Sequence, residues 1–221
     1  MKLDMHIHSA YSRDAGNGPP KEVLKRCRAA GLDGLCISDH NAIAGSLEAY
    51  SLAKEHGLVV VRGVEVSTLC GHVLAYGVGE LVPRSLSVEE TVERVHALGG
   101  VAVAAHPRRF PSGVGLEVAG TVAFDGIEVL NGGNPRSSNR RAEAVAVRRG
   151  LARTGGSDAH KPHEIGRAYT VVEGAQSEGD VIEAIAKGST SAGGRSRTAS
   201  EGIVYSAEIL LEWARGGFKR L

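Results

Sequence analysis

The chain has 221 residues, with 26 Lys and Arg against 25 Asp and Glu, a formal net charge of +1, 30 glycines and 4% aromatic residues. That length allows one sizeable core and is short for two domains, and the balanced charge excludes a global field drawing in nucleic acid or membrane, so any basic site must be local. No apolar run is long enough to span a bilayer and the N-terminal segment is not signal-like, which predicts a cytoplasmic protein with no membrane partner.

Three cysteines, Cys27, Cys36 and Cys70, are odd in number and widely spaced, which argues against a disulfide framework or a zinc knuckle. Cys27 and Cys36 fall at apolar positions and fill space. Cys70, two residues before His72, reads as a small neighbour rather than a ligand.

In chain order, Leu3 to His8 alternates with the period of a strand, so that Asp4, His6 and His8 share one face and Leu3, Met5 and Ile7 the other. A paired His-x-His suits a metal, and taken alone it suits two buried, hydrogen-bonded histidines equally well. Pro19 and Pro20 open a helix with Val23, Leu24, Cys27 and Ala30 at helical spacing, which Gly31 stops. A short strand from Gly34 ends at Asp39-His40, a helix runs from Ser46 to His56, and Leu58 to Glu65 reads as one β-branched strand. His72 to Gly77 is a further strand. Ser87 and Glu90 form a capping box for the helix carrying Val88, Val92 and Val95. Strands follow at 101–107 and 124–131, then a helix at 138–149, a strand or loop at 151–160, a strand at 168–172 and a helix at 180–187. Ser189 to Gly202 is small and polar, and Tyr205 to Gly216 is a helix with Tyr205, Ile209 and Trp213 on one side, packed across the domain.

This alternation predicts an α/β chain with a largely parallel sheet, and an open doubly wound sheet and a closed barrel both satisfy it. His8, His40, Glu65, His106, Asn131 and Asp158 lie at the carboxyl ends of different predicted strands. Such ends converge on one mouth only in a barrel, which favours that architecture. Mixed imidazole and carboxylate sets suit zinc, manganese or iron, and ions held close together suit phosphate ester hydrolysis: one acidifies a bound water to give metal-bound hydroxide, and another clamps the attacking and leaving oxygens.

The motifs D-x-H-x-H-S-x-x-S-x-D (Asp4 to Asp14), S-D-H (Ser38 to His40), G-x-E (Gly63 to Glu65), A-H-P-x-R (Ala105 to Arg109) and G-S-D-A-H (Gly156 to His160) resemble, in order, the metal motifs of the PHP superfamily, named for polymerase and histidinol phosphatase. The resemblance implies a distorted (β/α)7 TIM-like barrel over residues 1–196, followed by a tail at 197–221, with a centre of two to three divalent ions. It implies His6, His8, Glu65 and Asp158 around one ion, Glu65 bridging to a second held by His72 and His106, and Asp14, His40 and His160 holding a third. Asp14 stands where histidinol phosphatase relatives tend to carry histidine, which leans toward the nucleotide and nucleic-acid branch. The domain that such relatives insert between G-x-E and A-H-P is missing, so the mouth is expected to be more open.

Arg109 and Arg13 are expected to bind phosphate through their guanidinium forks. His163 is a candidate general acid, and Asp4 and Asp39 are expected behind the ligands, Asp39 orienting an imidazole. The leading expectation is a phosphoesterase acting on a small phosphomonoester or nucleotide. The alternatives are a nuclease or cyclic phosphodiesterase acting on short nucleic acid or cyclic esters, an amide hydrolase, and a non-catalytic metal-binding module.

Overall fold

The computed structural model describes residues 1–205. Its elements run β1 (Lys2–Ile7), α1 (Pro20–Ala29), β2 (Gly34–Ile37), α2 (Ala44–His56), β3 (Val59–Val60), β4 (Gly63–Ser67), β5 (His72–Tyr76), α3 (Val88–Ala97), β6 (Val101–Ala104), α4 (Leu116–Thr121), β7 (Gly126–Asn131), α5 (Arg136–Arg149), β8 (Ala152–Gly156), β9 (Ala168–Val171), α6 (Glu178–Ala186) and β10 (Ser191–Gly194). Residues 199–205 are helical, and the tail helix expected from Tyr205 onward otherwise lies outside the described residues. No helix among the described residues is long and apolar enough to cross a membrane.

Local signals account for most of these boundaries. Ser87 accepts from the Glu90 backbone N–H while the Glu90 side chain accepts from that of Ser87, the reciprocal cap that starts α3. Ser177 and Asp180 start α6 in the same way. Helix α1 buries Val23, Leu24 and Cys27 against Ile7, Leu35 and Ile37, as its apolar stripe requires.

The strands form two mixed five-stranded sheets, β10-β9-β1-β2-β3 and β4-β5-β6-β7-β8. The expected closed barrel is therefore corrected to a mixed α/β fold whose ladders do not run round in a ring. One feature opens the ring between β3 and β4. The segment expected as one strand from Leu58 to Glu65 is split at Arg62, whose backbone N–H donates to Glu178 Oε1 at 2.8 Å instead of to a neighbouring strand. β3 consequently pairs with β2 in one sheet, while β4 turns into an antiparallel hairpin with β5 in the other.

At the two seams the sheets are joined by single bridges, Ile7 to Ala159 and His40 to Glu65. Across the first, Asp158 N–H donates to His6 O at 2.7 Å and His8 N–H to Ala159 O at 3.1 Å. Across the second, Asn41 N–H donates to Glu65 O at 2.9 Å. Every one of these bonds lies beside a candidate ligand.

β1 departs from simple alternation. Its pairing with β2 slips between Asp4 and Ile7, where three steps along β1 match two along β2. An extra residue of this kind swaps the faces downstream. Leu3 and Met5 consequently pack with Leu74, Tyr76 and Val103 in the core between the sheets, whereas Ile7 packs outward against α1. The expectation that Leu3, Met5 and Ile7 share a face is thereby overturned, and the imidazoles of His6 and His8 sit above the inner core.

Candidate metal centre

Glu65 is the middle of the site. It lies in the hairpin register Glu65 to Leu74 and Ser67 to His72, which puts Glu65 and His72 on one sheet face as diagonal neighbours. His72 Nδ1 is 2.9 Å from Glu65 Oε1, and His106 Nε2 approaches the same oxygen at 2.9 Å. The other oxygen, Oε2, is met by His40 Nδ1 at 3.0 Å, His6 Nε2 at 3.3 Å and His8 Nε2 at 3.4 Å. Five imidazoles from four chain segments thus surround one carboxylate that has no exposed surface.

Asp158 and Asp14 extend the cluster. Asp158 Oδ1 is 3.2 Å from His8 Nε2 and 3.5 Å from His6 Nε2. Asp14 Oδ2 is 3.2 Å from His160 Nε2 and 3.6 Å from His40 Nε2. The rings of His8 and His160 lie 4.3 Å apart, and those of His8 and His40 4.5 Å apart. The structure therefore brings together all nine residues expected as metal ligands. Two of them, His106 at φ 25° and Asp158 at φ 54°, hold left-handed backbone, a conformation costing on the order of 1–3 kcal/mol each.

The donor set fits divalent ions. His6 Nε2 and Glu65 Oε2 are buried and lack hydrogen-bond partners, a state that is costly unless something binds there. The sets His6-Glu65-His106, His6-His8-Asp158, His40-Glu65-His72 and His8-His40-His160 each present three ligand atoms within 4.8 Å of one another.

Protonation in the metal-free chain follows from these neighbours. Burial pulls His8 down to about 4 despite its hydrogen bond with Asp158. Burial also opposes charge on His160, but the bonds to Asp14 and Asp158 win and raise it to about 9. The His160 hydrogen bond in turn holds Asp14 at about 2. Burial disfavours the Asp158 anion, yet Arg109 and His6 keep its carboxyl well below the usual range.

The remaining expected residues take other places. Arg109 does not offer a free guanidinium: its Nη1 pairs with Asp158 Oδ2, its Nη2 donates to Asn131 Oδ1 at 2.8 Å and its Nε to Asn134 Oδ1 at 2.9 Å. It is a brace behind Asp158, because a buried carboxylate needs a fixed cation. Arg13 is exposed. His163 is exposed in a short 3-10 turn, Pro162–Glu164, beside Arg167 and Arg197 and apart from the nine. Among the described residues Asp39 bonds no imidazole; it accepts from Ser9 N–H at 2.6 Å and Ser9 Oγ at 2.7 Å, fixing the loop after β1. Asp4 accepts backbone N–H bonds from Ser157 at 2.8 Å, Gly166 at 2.8 Å and His6 at 3.3 Å, and burial raises it to about 6. Cys70 is exposed, and Cys27 and Cys36 are buried.

Glu128 was not anticipated. Its Oε1 bonds His6 Nδ1 at 2.9 Å and its Oε2 accepts from His106 N–H at 2.8 Å, so it orients one ring and the backbone of another. Gly-Ile-Glu-Val gives no sign of this, except that a charge inside an otherwise apolar strand asks for a partner.

Comparison with known proteins accords with this geometry. The PHP domain family matches residues 4–106, and the PHP-associated family matches residues 136–190. The chain belongs to the PHP family. An uncharacterised protein of Methanocaldococcus jannaschii is 35% identical over 144 residues, which is 59% of this chain and 82% of that protein. The 3',5'-nucleoside bisphosphate phosphatase of Chromobacterium violaceum is 23% identical over 256 residues, covering 75% of this chain and 89% of the phosphatase. Among solved structures, a two-domain protein of Bacteroides vulgatus containing a predicted PHP-like metal-dependent phosphoesterase superimposes with a TM-score of 0.70 at 20% identity, over 88% of this chain and 65% of that one.

Proposed function

We propose that the chain is a metal-dependent hydrolase of phosphate esters, a small phosphomonoester or nucleotide being its substrate. The observation that carries this reading is the buried Glu65 carboxylate with five imidazole nitrogens within 3.4 Å. In this reading His6, His8, Glu65 and Asp158 would hold one zinc, manganese or iron ion, and Glu65, His72 and His106 would hold a second. Asp14, His40 and His160 would hold a third, where the two sheets meet at bridged seams within a domain spanning residues 1–196. When bound, divalent ions supply Lewis acidity toward a phosphoryl oxygen and acidify water to near neutrality.

The protein's own groups do the rest. Glu65, well below its usual pKa against its imidazole neighbours, stays anionic and shares two oxygens among the subsites. Arg109 and Asn131 hold Asp158 by its second oxygen, leaving the first turned toward His6 and His8. Glu128 fixes His6 through Nδ1 and so directs Nε2 into the cluster.

The test is phosphate release by chelator-stripped protein reloaded with manganese, zinc or iron, on nucleoside monophosphates, bisphosphates, cyclic diesters and amides, with His106→Ala alongside. Metal-dependent turnover of a phosphate ester, at least a hundredfold lower in the variant, supports the reading. Loaded protein that cleaves amides only, or nothing, overturns it.

A further inference from the structure

Two cavities share a wall next to the metal centre. The inner one, of about 260 Å³, is lined by Arg109, Asn134, Asp158 and His160 and so borders the ligand cluster. The outer one, of about 390 Å³, is lined by Lys161, His163, Arg167, Arg195 and Glu201. Among the described residues, Glu164, Arg197 and Tyr205 line both, and these three form the partition. His163, expected from the sequence to reach a leaving group, lies on its far side.

Each member of the partition is held in place. Glu164 is buried, and its Oε2 accepts from the backbone N–H of His160 and of Lys161, both at 3.1 Å. Its Oε1 accepts from Arg197 Nη2 at 3.3 Å. The Arg197 backbone N–H donates to Asn134 O at 2.9 Å, and its guanidinium lies 3.8 Å from the centre of the Tyr205 ring. Glu201, one helical turn before Tyr205 and on the same helix face, accepts from Nη1 and Nη2 of Arg195 at 2.9 and 2.8 Å, which anchors the turn that carries the ring.

We propose that Tyr205, seated on Arg197 and Glu164, is a specificity-determining residue that confines the leaving group of the substrate to the inner cavity. The inference rests on the phosphoesterase reading and names what decides the size of the ester that the site takes. A space of about 260 Å³ falls below the roughly 300–1,000 Å³ of sites that enclose drug-sized ligands. With a phosphoryl group beside Asp158 and His160, what is left holds one ring, and a longer rigid group runs into the Tyr205 face. Arg197 is no free phosphate clamp, because Glu164 pairs with it. A guanidinium stacked on an aromatic ring makes a stiff wall instead. Removing the ring joins the inner cavity to the outer one and gives a long group a way out past His163.

The experiment is calorimetric titration of the manganese-loaded full-length chain with methyl-, phenyl- and 4-biphenylphosphonate, which carry no ester to hydrolyse, repeated on Tyr205→Ala and Tyr205→Phe after both are checked for native melting. The parent is expected to bind biphenylphosphonate at least tenfold more weakly than phenylphosphonate, against the gain that burying a second apolar ring brings in an open site. Tyr205→Ala is expected to shrink that step to threefold or less, and Tyr205→Phe to keep it, because the ring and not the hydroxyl is the wall. A parent without the step, a step that survives in Tyr205→Ala, or no phosphonate binding at all overturns the partition. Hydrolysis of the matching methyl, phenyl and biphenyl phosphates is followed separately. Turnover without a size step leaves the phosphoesterase reading standing alone. A size step in binding without turnover of any ester supports the partition and removes that reading.

Discussion

Arg109 is the residue whose place in the site changes most when its contacts are known. The A-H-P-x-R spacing suggests a phosphate clamp, but its three hydrogen-bonding nitrogens face Asp158, Asn131 and Asn134. Removing it as Arg109→Ala strands a buried carboxylate, which costs about 3–5 kcal/mol. Urea unfolding of the metal-free variant is expected to show that loss; a phosphate clamp alone would leave stability within about 0.5 kcal/mol and raise KM. His160 gives a pH signature. Held at about 9 in the metal-free chain, it is protonated at pH 7, so an ion entering beside Asp14 and His40 must displace a proton. Metal affinity at that corner is expected to climb close to tenfold per pH unit from 7 to 8.5, with proton release seen by calorimetry in buffers of different ionisation heat. A flat profile would count against His160 as a ligand. The histidines and acids of the cluster could be read from the sequence because they recur at strand ends. Glu128 and the true partners of Arg109 could not, because both depend on which side chains meet across β6, β7 and β8.

At the scale of elements, the irregularity in β1 is what aims His6 and His8 inward, and it works only because β8 comes close. A Cβ on Gly156 would lie 2.4 Å from His6 Cβ and 2.7 Å from His6 N. Gly156→Ala is therefore expected to push β1 from β8, lowering stability by about 1–3 kcal/mol and weakening metal binding at least tenfold by chelator competition. Unchanged metal affinity would show that the seam does not govern the site. Helices α1, α3 and α6 could be read from caps and stripes, which are local. The split between β3 and β4 could not, since it hangs on Arg62 pairing with Glu178 from far along the chain. Nor could β10, because Ser-Ala-Gly-Gly has weak strand propensity. Its Gly193 is small for a reason, as a Cβ there would lie 2.5 Å from the ring of Tyr169.

For the whole molecule, the candidate ligands belong to both sheets: His6 lies in β1 with His8 and His40 just after β1 and β2, while Glu65 and His72 lie in β4 and β5 of the other sheet and His106 and Asp158 just after its β6 and β8. Ions held among them tie together two ladders joined by isolated bridges. Metal at a hundredfold excess over its Kd adds about 2.7 kcal/mol, which for a chain of this size moves Tm upward by about 5–10 °C. Thermal melts of stripped and manganese-loaded protein test this, and equal midpoints would mean that no ion bridges the sheets.

The order of the ligands along the chain also bears on how the molecule is born. His6 through His106 leave the ribosome well before Asp158 and His160, by several seconds at roughly 5–20 residues per second. During that interval five imidazoles and Glu65 are free to capture an ion in an arrangement that the finished fold must then undo. Zinc present from the start of refolding is expected to slow recovery of native circular dichroism, and zinc added after β8 has docked is not; equal rates would mean that the early histidines stay silent until the fold closes around them.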